Sequence, residues 1–193
     1  PTAILMISSL TTEDATITMT ALDYGAIDYI AKPGTMNVGK NENRADILQK
    51  VKTLSNIPNR RLKRLSTQPK TRERYRPSLS KEAVETRSSL DITKVVLIGS
   101  STGGPGLIEQ ICASLPINYK YPVCVVQHMP EQFTKAFVQR LDNASVVPVH
   151  ESAQNMELLP GNVYIARGGI HMNFVKKVSG KIVIREDKIK GKS

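Results

Sequence analysis

Val95-Val96-Leu97-Ile98-Gly99-Ser100-Ser101-Thr102-Gly103-Gly104-Pro105 is the stretch whose reading decides the fold. Four apolar residues, three of them β-branched, read as a short strand buried on both faces. Small residues follow at once, and Pro105 suits the first turn of a helix. Strand, turn and helix in that order make one unit of a parallel α/β sheet. Within the turn, Gly99-x-Ser101-x-Gly103 matches the pattern of a serine carried on a tight strand-to-helix bend. The glycines let the backbone bend sharply and leave the Ser101 hydroxyl unobstructed. The backbone N–H groups that open the helix can face a developing oxyanion. A small-residue turn after a strand also serves as a plain phosphate cradle. The run is neither a G-x-G-x-x-G dinucleotide loop nor a Walker loop, because no Gly-Lys-Ser/Thr is present.

Downstream, the spacing predicts a helix over 105–113 with Leu107, Ile108 and Ile111 inward. The apolar run 122–126 is the next buried strand. It delivers Gln127-His128-Met129-Pro130 at its carboxyl end, the edge of an open α/β sheet where ligand chemistry gathers. Ser101 and His128 are 27 residues apart, about the length of a βαβ crossover, which puts both strand ends on one side of one sheet. A lone histidine there is an ordinary packing residue. Beside Ser101, its imidazole can take the hydroxyl proton and return it to a leaving group. A helix over 131–141 carries Phe133, Phe137 and Leu141 on one face. Strands follow at 146–149 and 162–166, then a β-hairpin formed by 171–178 and 181–185 around Ser179-Gly180. The tail after Glu186 reads as loose and basic.

Upstream, Ala3-Ile4-Leu5-Met6-Ile7 is another buried-strand run. Thr11 or Thr12 can cap a helix whose first turn carries Glu13 and Asp14 and whose stop is Gly25. Residues 27–31 form a second short strand, ended by Lys32-Pro33. Ile47, Leu48, Val51 and Leu54 form the stripe of another helix. Two such units are too few to bury a core alone. Pro58, Pro69, Pro77 and the run Arg60-Arg61-Leu62-Lys63-Arg64 mark a linker. The expected division is therefore 1–55, a basic linker over 56–93, and 94–193.

The chain has 193 residues and a net charge of +10. Residues 40–94 hold 15 Lys/Arg and 6 Asp/Glu, so nearly all the excess belongs to the middle segment rather than to a folded face. The linker within it has one aromatic residue, Tyr75, which gives base stacking little support and argues against nucleic acid as a partner. No stretch approaches the ~20 apolar residues of a membrane helix, and no basic region precedes the first apolar run, so neither membrane insertion nor a signal peptide is expected. Cys112 and Cys124 lack C-x-x-C spacing and lie in apolar surroundings; buried free thiols are expected rather than a disulfide or a metal site. A cytoplasmic location is the reading these features give.

Two resemblances add to this. Met6-Ile7-Ser8-Ser9-Leu10, then Gly25-Ala26-x-Asp28-Tyr29, then Lys32-Pro33, resembles the C-terminal half of a flavodoxin-like receiver domain of response regulators. The resemblance implies that Ser8 and Lys32 contact a phosphoryl group, that Tyr29 is the aromatic switch, and that the Lys32–Pro33 bond is cis. It also implies magnesium for receiver phosphorylation in a full-length parent, with the phosphoacceptor and metal ligands on strands absent here. The second set is Gly99-x-Ser101-Thr102-Gly103-Gly104, Gln127-His128-Met129-Pro130, Leu159-Pro160-Gly161-x-Val163-Tyr164-Ile165-Ala166 and His171-Met172. It resembles the Rossmann-like, parallel-sheet catalytic domain of the bacterial chemotaxis protein-glutamate methylesterases. That implies Ser101 as nucleophile, His128 as general base, and Thr102 with Gly103 in the oxyanion turn, with no cofactor for catalysis. His171 is as readily structural. It further implies hydrolysis of glutamate methyl esters, and deamidation of glutamines, on methylated chemoreceptors, with a chemotaxis histidine kinase acting on the receiver. The family's third member is an aspartate in a glycine-rich turn after the hairpin, and neither Glu186 nor Asp187 has that context. The chain is thus expected to lack both ends and to be nearly inactive, since removing a triad member costs about 10⁴ in turnover. The alternative is a non-catalytic signalling module that docks through its linker.

Overall fold

The computed structural model describes residues 2–9, 11–32, 40–58 and 92–188. The first part is a β–α–β unit: β1 (Leu5–Ser8), α1 (Thr12–Asp23) and β2 (Asp28–Ala31), followed by α2 (Lys40–Ser55). Thr11 caps α1, its hydroxyl accepting the Asp14 N–H at 3.0 Å, and Glu13 and Asp14 sit at the positive end of the helix dipole. Gly25, at φ +102°, ends the helix as expected. β1 and β2 pair in parallel, with Ser8 opposite Ala31.

The second part runs β3 (Val96–Ser100), α3 (Gly104–Ser114), β4 (Val123–Gln127), α4 (Glu131–Ala144), β5 (Val149–Glu151) and β6 (Val163–Ile165). These four strands form one parallel sheet in the order β3-β4-β6-β5. β7 (Ile170–Lys176) and β8 (Ile182–Lys188) make the antiparallel hairpin. The α/β class with a parallel sheet and a hairpin is therefore observed.

The core lies between the sheet and α4. Phe133, Phe137 and Leu141 are fully buried on one face of that helix, as their spacing predicts. They join Ile108 of α3, Val125 of β4 and Ile165 of β6. Ala15, Met19, Leu22 and Tyr29 of the first part belong to the same cluster. The Tyr29 ring stacks on Phe133 with centroids 4.7 Å apart. Arg140 ties the helices together. Its guanidinium pairs with Asp23 of α1 at 3.0 Å and Glu109 of α3 at 2.5 Å, and donates to the Met19 carbonyl. A two-strand unit too small to bury its own apolar surface thus completes a shared core.

Several sequence expectations need correcting. β3 is not buried on both faces: Val96 and Ile98 pack on the core, and Leu97 between them points to the other face and is 67% exposed. Ile4, Ile7 and Val126 are exposed as well. In α3 the buried stripe is Ile108 and Cys112, while Leu107 and Ile111 face outward. In α2 Leu54 is buried, but Leu48 and Val51 are exposed. Lys50 takes a buried position there because the Tyr29 carbonyl accepts from its ammonium at 2.7 Å and the Asp28 carboxylate lies 3.5 Å away. β5 begins at Val149, after Pro148, which has no N–H to donate to a ladder. β8 runs on to Lys188, because Asp187 and Lys188 still pair with His171 and Ile170. The Lys32–Pro33 bond and most of the linker lie outside the described residues. Among those described, no helix is long and apolar enough to cross a membrane.

Two outcomes follow from the packing. Phe133→Ala should lower the unfolding free energy by about 3–5 kcal/mol in denaturant titrations followed by circular dichroism; a loss below 1 kcal/mol would contradict the shared core. Burial pushes both thiols up to about 12, with Glu109 adding to the effect at Cys112. A raised folded pKa means this contribution to stability is intact below the ordinary thiol range and fades as pH climbs from there towards the folded value. At pH 8 the native protein should show no thiol reactive towards Ellman's reagent, and both should react after denaturation.

Candidate functional site

The parallel register of β3 and β4 sets Ser100 opposite Gln127. The next residues, Ser101 and His128, therefore emerge side by side at the carboxyl edge, about one strand spacing of ~4.8 Å apart. The Ser101 hydroxyl lies 3.5 Å from His128 Nδ1, and both residues are exposed. That is the long end of hydrogen-bond range, as serine–imidazole pairs commonly are before a substrate closes them. For Nδ1 to accept the hydroxyl proton, the neutral ring must carry its hydrogen on Nε2.

The turn after β3 is built for this exposure. Gly103 adopts φ +72°, where a side chain would cost roughly 1–2 kcal/mol. The Gly104 N–H closes the turn on the Ser101 carbonyl at 2.8 Å. Thr102 is half-buried in the same turn. The Gly103 N–H donates to Asp28 Oδ2 at 3.0 Å, so of the two turn residues named from the sequence it is Gly103 whose amide is already engaged. Asp28 is buried, and its other oxygen accepts from the Tyr29 N–H at 2.8 Å and lies 3.5 Å from Lys50 Nζ. A carboxylate resting on the first turn of α3 is what a helix N-terminus favours.

The residues read as a receiver switch are divided. Ser8 and Lys32 meet at one edge: the Lys32 N–H donates to the Ser8 carbonyl at 2.6 Å, and the Lys32 side chain is exposed. The Ser8 hydroxyl reaches the Asp14 carbonyl at 3.4 Å. Tyr29 does not join them. It is buried between Phe133 and the Lys50 ammonium, which lies 5.2 Å from the ring centre. His171 is exposed on the hairpin, opposite Asp187. The acids near the chain's end are held elsewhere: Glu186 accepts from Ser152 at 2.7 Å and pairs with Arg167 at 2.5 Å, and Asp187 pairs with Arg185 at 3.0 Å. Burial raises the Glu151 carboxyl above its ordinary range, opposed by Arg167 and Lys135. Among the described residues no three His, Cys, Asp or Glu side chains converge, so they do not fit a magnesium pocket.

Sequence reasoning quoted Asp28, Gly104 and Gln127 within its motifs without giving them a role at the site, and passed over Gly168. Gln127 had a visible signal, a polar residue closing an otherwise apolar strand. Asp28 had none, since its partner Gly103 is 75 residues away.

Residues 96–191 match the family described as CheB methylesterase. The chain is 40% identical over 189 residues to the protein-glutamate methylesterase/protein-glutamine glutaminase of Thermotoga maritima, an alignment covering 97% of this chain and 51% of that protein. It is 36% identical over 185 residues to protein-glutamate methylesterase/protein-glutamine glutaminase 3 of Syntrophomonas wolfei, covering 94% and 51%. Among solved structures, the Thermotoga maritima CheB methylesterase catalytic domain is 44% identical with a TM-score of 0.48, covering 50% of this chain and 51% of that one. The chain spans about half the length of the curated relatives it matches. Through the region that holds the paired serine and histidine, this chain belongs to the CheB methylesterase family.

Proposed function

We propose that this chain supplies the nucleophile and the general base of a protein-glutamate methylesterase. The observation that carries the reading is the 3.5 Å approach of Ser101 Oγ to His128 Nδ1 at neighbouring tips of one parallel sheet. In the proposed reaction His128 takes the hydroxyl proton as Ser101 attacks the ester carbonyl of a methylated glutamate. The Thr102 N–H, in the turn that leads into α3, faces the oxygen on which charge develops. Collapse of the tetrahedral intermediate breaks the ester bond, and His128 returns the proton to the departing methoxide, which leaves as methanol. Water, deprotonated by His128, then attacks the acyl-serine and releases glutamate and the free hydroxyl. A glutamine side chain follows the same course with ammonia as the leaving group. The substrates on this reading are methylated chemoreceptors.

The first part of the chain we read as half of a receiver, with Ser8 and Lys32 at its phosphoryl edge and a chemotaxis histidine kinase as the phosphate source. The magnesium ligands and the phosphoacceptor of that receiver are not among the described residues, and no step above runs through a metal. The aspartate that would orient His128 is likewise proposed to lie outside the 193 residues.

A serine-directed fluorophosphonate should label Ser101, and Ser101→Ala should abolish the label; undiminished labelling of that variant would overturn the assignment. His128→Gln should slow labelling about 10²–10⁴-fold, the usual worth of a positioned base. Methanol release from methylated receptor should be far slower with this chain than with one extended to the length of its curated relatives. Equal rates would show that no further acid is needed.

A further inference from the structure

We infer that Gln127 is a positioning residue, whose side-chain amide ties together the backbone on both sides of the Ser101–His128 pair and sets the gap between them. The inference rests on the reading of those two side chains as nucleophile and base. Gln127 closes β4 and is 5% exposed. A buried primary amide is unfavourable unless its oxygen and both its hydrogens find partners. Here they do. Oε1 accepts the Ser100 hydroxyl at 2.6 Å, while Nε2 donates to the Ser101 carbonyl at 3.0 Å and to the His128 carbonyl at 3.2 Å. Carbonyl oxygens only accept, so the network itself fixes which end of the amide is nitrogen.

The position of these bonds gives them their consequence. The ladder between β3 and β4 closes with the His128 N–H donating to the Ser100 carbonyl at 2.9 Å. Past that rung the two chains diverge into separate loops, and the amide adds one more tie. One N–H holds the residue that bears the hydroxyl; the other holds the residue that bears the imidazole. The lateral spacing of the pair is thus inherited from a rigid planar group.

Gly104 gives an independent sign of the same constraint. A Cβ there would lie 2.2 Å from Gln127 Oε1 and 3.0 Å from the Ser100 side chain. Gly104 is not among the positive-φ glycines, so its requirement is one of space. The first residue of α3 rests directly on the amide, and a methyl group at that point must push the amide away.

The test compares Gln127→Met, which fills the volume without donating, Gln127→Glu, which turns a carboxylate on two carbonyls, and Gly104→Ala. Val147→Ala, a core change remote from the pair, is the control for lost stability. Two readouts are taken well below each melting temperature: the rate of fluorophosphonate labelling at Ser101 and the ¹⁵N shifts of the His128 imidazole. The three site variants should label at least tenfold more slowly, and their His128 Nδ1 shift should move towards that of free histidine. Val147→Ala should keep the wild-type rate and shift. Wild-type rates and imidazole shifts in Gln127→Met, or an equal loss in Val147→Ala, would overturn the proposal. The imidazole shift reads the tie whether or not labelling occurs. Labelling that persists in Ser101→Ala would instead fail the underlying assignment of the nucleophile.

Discussion

The register between β3 and β4 is the constraint on which the site depends. Ser100 faces Gln127, and so the hydroxyl and the imidazole leave the sheet as neighbours. A slip of one residue would turn one of the two strands over and send its terminal side chain to the opposite face. Nothing local to either loop could repair that. The register is in turn secured from both faces: Val123, Val125 and Ile108 are buried with the aromatic residues of α4, and Cys124 is buried on the opposite face with Tyr164 and Ile184, while β3 itself stays open at Leu97. The chemistry therefore rests on a sheet packed on both faces at β4 and β6 and open on one face at β3.

That packing draws in the first part of the chain. Tyr29 supplies a ring to Phe133, and Arg140 reaches from α4 to both α1 and α3. Asp28 adds a polar link, with a buried carboxylate on the Gly103 amide balanced by Lys50. Breaking such a buried pair on one side leaves an uncompensated charge, so its members act as one unit. A movement of β2 would then be felt at the first turn of α3, one residue from Thr102. The physical route between the two parts is short: one carboxylate and one ring.

What was legible in the sequence follows the same division. Elements whose signals are local were readable: the Gly99-to-Pro105 turn, the Thr11 cap, the Gly25 stop, and the Phe133–Phe137–Leu141 face. The pairing of Ser101 with His128 was readable because crossover length and strand ends are properties of spacing. Orientation was not. Leu107 and Ile111 looked as suitable for the core as Ile108, and only the seating of α3 on the sheet decides among them. Tyr29 read as a mobile aromatic, because the ring it meets is about a hundred residues away in sequence. The burial of Lys50 had no local signal, since its partners at Asp28 and Tyr29 belong to β2. Each failure concerns a contact between elements that no window of sequence contains.

The loop that follows His128 shows how little freedom is left at the edge. A Cβ at Gly168 would lie 2.4 Å from the Met129 carbonyl oxygen and 2.5 Å from the Glu131 nitrogen, and the Gly168 N–H donates to the Thr134 hydroxyl at 3.1 Å. The chain leaving β6 therefore lies flat against the chain leaving β4, fixing the imidazole's backbone from one side while Gln127 holds it from the other. Rigid backbone on both flanks suits a reaction whose barrier falls through groups positioned in advance, since no energy is then spent on rearranging them. The two reacting side chains, by contrast, are exposed. A fixed frame with its hydroxyl and imidazole at the surface is what a side chain projecting from another protein requires, because such a substrate cannot be swallowed by a deep pocket. A stiff edge with an open approach thus adds to what the serine–histidine distance carries.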